Sequence, residues 1–164
     1  MPANTSPSNI QYPISTDNVA PLETVFANMA NSIQTALDGL VAQNPTAWTT
    51  YTPSLTNMSQ GNGTLIAKHR KNGASRDVVF QFILGSTSTV GSVPYFSLPT
   101  TAPYQTSYGA LYLDDGTATI PGIIWGRNDR AYLMTTSGGF VGSTSPFTWV
   151  AGDAINTSFT YAED

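Results

Sequence analysis

From Trp48 to the end of the chain, turn signals recur roughly every 8–12 residues. That spacing leaves room for little except short antiparallel strands packed as a sandwich or barrel. Strands are predicted at Trp48–Leu55, Thr64–Lys71, Asp77–Leu84, Tyr95–Leu98, Ser107–Leu113, Thr117–Trp125, Arg130–Thr135, Phe147–Val150 and Ile155–Tyr161. Asn72-Gly73 and Asp115-Gly116 mark tight hairpins, since both residue types tolerate positive φ. Gly126-Arg127-Asn128-Asp129 marks another reversal. Pro53 has no N–H to give a ladder, which confines it to an edge or to the end of a strand. The polar run Asn57–Gly63 reads as the loop that follows.

A different period precedes this region. Leu22, Phe26, Met29, Ile33, Ala36 and Leu40 are separated by 4, 3, 4, 3 and 4 residues. This is the 3.5-residue repeat of a coiled-coil seam. Asp17 or Asn18 can cap the helix, Pro21 suits its first turn, and Glu23 complements its positive end. Gly39 and Asn44-Pro45 close it. Such a helix either packs on its own domain or associates with identical helices. The narrow stripe favours association, although three heptads without charge pairs are marginal alone. Residues 1–17, rich in Pro, Ser, Thr and Asn, form either a disordered tail or an extended arm. Ile10, Tyr12 and Ile14 alternate, as in a strand added to a partner's surface. The expected organisation is an arm at 1–17, an oligomerising helix at 18–43, a linker at Gln43–Thr46 and a β domain at 47–164.

Charge narrows the partners. Only 10% of residues are charged, against about 25% in average globular proteins, which suits a module of a larger assembly. Net charge is −4, and four of the six basic residues (Lys68, Arg70, Lys71, Arg76) surround one predicted turn. That is a solvated hairpin tip rather than a nucleic-acid surface. There is no cysteine, so disulfide and thiolate chemistry are excluded. MPANTSPSNIQYP lacks the basic and apolar regions of a signal peptide. No apolar run approaches the ~18 residues of a membrane span.

Two strands show apolar residues on both faces. Val78, Phe80, Phe82 and Leu84 share one face of Asp77–Leu84, while Val79 and Ile83 occupy the other. In Ser107–Leu113, inward Leu111 and Leu113 leave Tyr108 and Tyr112 outward. A strand with one wet face alternates apolar and polar residues, so the second face is expected to meet a subunit or a long loop of the same chain. The expected oligomer contacts are Leu22, Phe26, Met29, Ile33, Leu40, Val79 and Ile83.

Catalytic motifs are absent. His69 is the only histidine, is expected to be exposed, and has no neighbours that would complete a metal site or a nucleophilic triad. Asp114, Asp115, Asp129 and Asp153 lie in predicted turns, where aspartates bond their own backbone. A paired-carboxylate glycosidase would need two of them held across a cleft. Sugar binding fits the region better: Trp125 and Tyr132 can stack on a pyranose, with Arg127 and Asp129 reaching its hydroxyls. Trp125 fits a core position at least as well. No cofactor is implied.

WTTYTPSL from Trp48, GNGT from Gly61, VVFQFILGSTST from Val78, FSLP from Phe96 and PFTWVAGDAI from Pro146 stand in a familiar order. With the leader YPISTDNVAPLE from Tyr12, they resemble a domain of small tail-fibre and receptor-binding proteins of tailed bacteriophages. The resemblance implies a mainly-β virion protein: an attachment arm, a short coiled-coil-like helix and an antiparallel, jelly-roll-like β-sandwich head, usually a homotrimer. It implies assembly in a bacterial cytoplasm, contact with other virion proteins through residues 1–17, and contact with host-surface carbohydrate. Related modules also serve as capsid decoration or head-fibre proteins. A glycan-degrading enzyme is the third alternative.

Overall fold

The computed structural model describes residues 3–4, 11–12, 22–43 and 45–163. They fall into two compact units divided between Asn44 and Pro45. In the first, β1 (Ala3–Asn4) pairs antiparallel with β2 (Gln11–Tyr12), Ala3 opposite Tyr12. Tyr12, on the segment read either as a disordered tail or as an added strand, pairs with Ala3 of its own chain. Ile10, Ile14, Asp17, Asn18 and Pro21 lie outside the described residues.

Helix α1 runs from Leu22 to Gln43. Its polar side chains bond locally: Ser32 Oγ donates to the Asn28 carbonyl at 2.8 Å and Thr35 Oγ1 to the Asn31 carbonyl at 2.9 Å. Gly39, read as part of a stop signal, lies inside the helix. Pro45 disfavours helical backbone at the residue before it, and the helix ends just short of that point. Val25, Met29, Ser32 and Ala36 are half-buried. Leu22, Phe26, Ile33, Leu37 and Leu40 are exposed, Leu22 at 66% and Leu40 at 61%.

The second unit is one antiparallel sheet of nine strands: β3 (Thr49–Thr50), β4 (Leu55–Ser59), β5 (Thr64–Asn72), β6 (Ser75–Ile83), β7 (Thr89–Ser97), β8 (Thr106–Asp114), β9 (Thr119–Arg127), β10 (Arg130–Thr135) and β11 (Ala154–Ala162). Their spatial order is β3-β5-β6-β11-β8-β9-β10-β7-β4. The pairing is continuous, so the strands make one sheet curled as a half-barrel, not the two facing sheets of the expected jelly-roll-like sandwich. Alternation puts Val78, Phe80 and Phe82 on the inside, with Phe96, Leu111, Leu113, Ile124, Leu133 and Ile155, all fully buried. A strand with one buried face satisfies a sandwich and a curled sheet equally, and only the pairing separates them.

The start of the unit bridges the two edges of the curled sheet. Thr49 and Thr50 pair with His69 and Lys68 on β5, and Tyr51 N–H reaches the Ala67 carbonyl. A few residues on, Ser54 accepts from Ser97 N–H, and Leu55 and Thr56 pair with Phe96 and Tyr95 on β7. What reads as one strand, Trp48–Leu55, is therefore two half-strands on opposite edges, and Pro53 sits at the crossing. Of the expected loop Asn57–Gly63, the first three residues belong to β4, and Gln60–Gly63 form the turn into β5.

Two further expectations change. Phe147–Val150 is not a strand. Trp149 instead donates its indole N–H to the Gly142 carbonyl at 2.9 Å, and Phe147 and Trp149 pack beside the core. β7 begins at Thr89, well before Tyr95. Its first half is disguised by Gly91, by Pro94, and by Val93 at φ 54°, which faces a register shift between Thr56 and Met58 on β4.

Tyr108 is also displaced from its expected outward position. A register shift between Ser107 and Gly109 turns its ring onto Phe159 and Tyr161, with centroids at 5.9 and 5.5 Å. Such a bulge re-aims a side chain. Tyr112, past the shift, is outward and 51% exposed.

Candidate functional site on the outer sheet face

The outer face of β9, β10 and β7 is built by register. Trp125 on β9 is directly opposite Tyr132 on β10, and Tyr132 is directly opposite Tyr95 on β7. All three are half-buried, alternating with buried Ile124, Ala131 and Phe96. The Tyr95 and Tyr132 rings lie 4.8 Å apart, and the exposed ring of Phe140 is 5.8 Å from Tyr132. Trp125 is therefore an outward strand residue and not part of the buried core.

Charged groups border this row. The β9–β10 hairpin turns at Asn128-Asp129, with Asn128 at φ 56°, and sets Arg127 opposite Arg130. The Arg130 guanidinium lies over the Tyr95 ring, 5.0 Å from its centroid. Arg130 Nη1 donates to the Tyr132 hydroxyl at 3.5 Å, and its Nε is 3.6 Å from an Asp129 carboxylate oxygen. Arg127, Asp129 and Arg130 are exposed. The four residues singled out in the sequence (Trp125, Arg127, Asp129, Tyr132) thus fall on one hairpin and its outer face. Tyr95, Arg130 and Phe140 complete the surface and were missed. Alternation alone could place Tyr95 opposite in face to Phe96, but nothing local puts β7 beside β10.

The predicted oligomer contacts divide into two groups. Leu22, Phe26, Ile33 and Leu40 are exposed on α1, with Met29 half-buried. On the outer face of β6, Val79 is half-buried and Ile83 is 38% exposed. Ile66 on β5 lies on the same face.

The basic hairpin differs from expectation. Arg76 is not part of a solvated tip: only 13% of its side chain is exposed. It pairs with Glu163 and donates through Nη1 to His69 Nδ1. Glu163 also accepts from Thr100 Oγ1 at 2.6 Å, and Thr100 Oγ1 is 2.8 Å from the Tyr161 hydroxyl. His69, expected to be exposed, is half-buried and meets Tyr51 edge-on at 5.4 Å. Burial, with a smaller contribution from Arg76, holds the His69 ring below its ordinary pKa, against an opposing pull from Glu163. The Tyr51 hydroxyl is buried with no hydrogen-bond partner among the described residues, and burial pushes its pKa far upward. Arg70 pairs with Asp77 at 2.8 Å.

The turn carboxylates are engaged locally. Asp115 Oδ1 accepts from the backbone N–H groups of Thr117 and Ala118, Asp114 from Gly116, and Asp153 from Val150. Asp129 lies beside Arg130. Among the described residues no group of three His, Cys, Asp or Glu could hold a metal ion. No helix among them is long and apolar enough to cross a membrane. An open groove of about 240 Å³ lies between the start of β8 and the end of β11, lined by Pro103, Tyr104, Tyr108, Thr160 and Ala162. No family model, curated protein or solved structure matches the chain.

Proposed function

We propose that this protein is a short, non-enzymatic appendage of a tailed-phage virion, a homotrimeric tail fibre or receptor-binding protein that contacts host-surface glycan. The observation that carries the reading is the outward row Tyr95–Tyr132–Trp125 with Arg127 and Arg130 at its end. Aromatic faces present negative potential to the polarised C–H groups of a pyranose, and the flanking donors orient its oxygens. Self-association is supported by the uncovered stripe Leu22, Phe26, Ile33 and Leu40; the count of three rests on the resemblance to phage fibre domains. Linked copies bind a repeating glycan far more tightly than one copy does. Engagement of the turn aspartates with backbone and with Arg130 supports a binding role over hydrolysis.

Pre-incubating host cells with the purified protein should block adsorption of the phage, and the Trp125→Ala variant should not. Undiminished adsorption at saturating protein would reject the receptor-binding reading. Antibody labelling of purified particles should mark the tail. Label on the capsid alone would make the protein a capsid decoration or head-fibre protein attached through residues 1–17. New reducing ends released from host polysaccharide would make it a glycan-degrading enzyme.

A further inference from the structure

We infer that the outer-face site takes an acidic saccharide, one whose rings carry a carboxylate or a phosphate ester; this rests on the glycan-binding reading above. The chain has six basic residues, and two of them, Arg127 and Arg130, stand directly opposite each other across β9 and β10. Like charges in direct cross-strand register repel, and a protein with net charge −4 has ample neutral residues to place there instead. Asp129 offsets only part of this charge. It lies 3.6 Å from Arg130 Nε, and both side chains are about half exposed or more (49% and 61%), where solvent screens the pair strongly. No acidic side chain among the described residues pairs with Arg127 within 4.0 Å. The hairpin end therefore keeps a local positive excess beside an aromatic surface.

Arg130 is also oriented. Its guanidinium is stacked on Tyr95 and tethered to the Tyr132 hydroxyl, which reduces the ordering cost when it meets an anion. The remaining guanidinium N–H groups of Arg130 and those of Arg127 suit a planar carboxylate or a phosphate, to which arginine donates through two parallel bonds. Three neighbouring strands carry the aromatic row over roughly 10 Å, long enough for more than one sugar ring to lie along it. The acid group of one ring would then fall at Arg127 and Arg130 while the adjoining rings stack on Tyr132 and Trp125. This surface is separate from the apolar residues Val79 and Ile83, because β11 and β8 lie between β6 and β9.

Titration calorimetry of the full chain tests this with four probes: a galacturonate oligomer, its fully methyl-esterified form, phosphomannan and dephosphorylated mannan. At least one acidic probe should bind ten-fold or more tightly than its neutral counterpart, and that preference should weaken as salt rises. Arg127→Gln and Arg130→Gln should each abolish the preference, with thermal melting unchanged or slightly raised. Trp125→Ala should weaken binding of acidic and neutral chains alike. Equal binding of acidic and neutral probes would overturn the acidic preference and leave glycan binding standing. Acidic binding untouched by Trp125→Ala would also overturn the inference, since it would reflect charge without stacking. Failure of every probe to bind would overturn both readings.

Discussion

The rings of Phe80 and Phe96 stack with centroids 4.0 Å apart and planes within 6°, although their strands stand at β6 and β7 in the order β6-β11-β8-β9-β10-β7. Five inter-strand steps would separate them by roughly 24 Å on a flat sheet. Contact is possible only because the sheet curls until its inner face closes on itself. The pair is therefore a direct measure of the curl. Phe96→Ala should destabilise the β unit by about 3–5 kcal/mol in denaturant unfolding. Tyr112→Ala, outside the curl, should cost far less. A small loss at Phe96 would mean that the inner face is not closed.

Gly126 supplies a second steric test. A Cβ placed there would fall 1.6 Å from the Tyr108 ring. Tyr108 cannot easily retreat, since its hydroxyl donates to the Tyr104 carbonyl at 2.7 Å and its ring stacks on Phe159 and Tyr161. Gly126→Ala should cost about 1–3 kcal/mol as forced overpacking. Gly139→Ala, with nothing closer than 3.6 Å, should be nearly neutral.

Acid should weaken the β unit in two stages. Neutral His69 accepts a hydrogen bond from Arg76, and its folded pKa lies below the ordinary 6.5. The unfolded chain then binds this proton more readily, so stability is full above 6.5 and falls as pH drops below it. Burial pushes the Glu163 carboxyl up, but hydrogen bonds from Arg76 and Thr100 outweigh that and hold it below 4.5. Its contribution is lost at lower pH, as the pH falls through its folded value. His69→Gln should remove the upper stage of a melting-temperature profile and leave the lower one. Because His69 is the single histidine, an unchanged upper stage would refute its role.

The exposed helix stripe makes a prediction about mass. Phe26 is 57% exposed on the side of α1 that carries Leu22 and Ile33. If the proposed trimer joins through this stripe, Phe26→Asp should reduce the sedimentation mass to that of a single chain, because a charge buried at a helix seam is strongly unfavourable. Thr24→Asp, away from the stripe, should not. An identical mass for wild type and Phe26→Asp would rule out this seam.

Much of the β unit was legible because alternation is a local property. Val78, Phe80 and Phe82 could be assigned to the inside from their spacing alone, and Gly73 and Gly116 mark hairpins because they adopt φ of 62° and 77°. The α1 stripe was legible for the same reason. The change of edge at Pro53 and the start of β7 at Thr89 were not, because a strand is defined by the neighbour it bonds. Phe147 and Trp149 look like strand residues in sequence but are held by packing and by the Gly142 carbonyl.

The amino-acid order by itself determined which residues alternate, where the chain reverses and which side of each strand is apolar, since these depend on neighbours a few residues apart. Tertiary structure alone decided that the sheet is one curled half-barrel, that Tyr95 joins Tyr132 and Trp125, and that Arg76 leaves the surface to meet His69 and Glu163. Those outcomes depend on which strands become neighbours, and pairing between distant segments is fixed by closure of the whole sheet around its shared core.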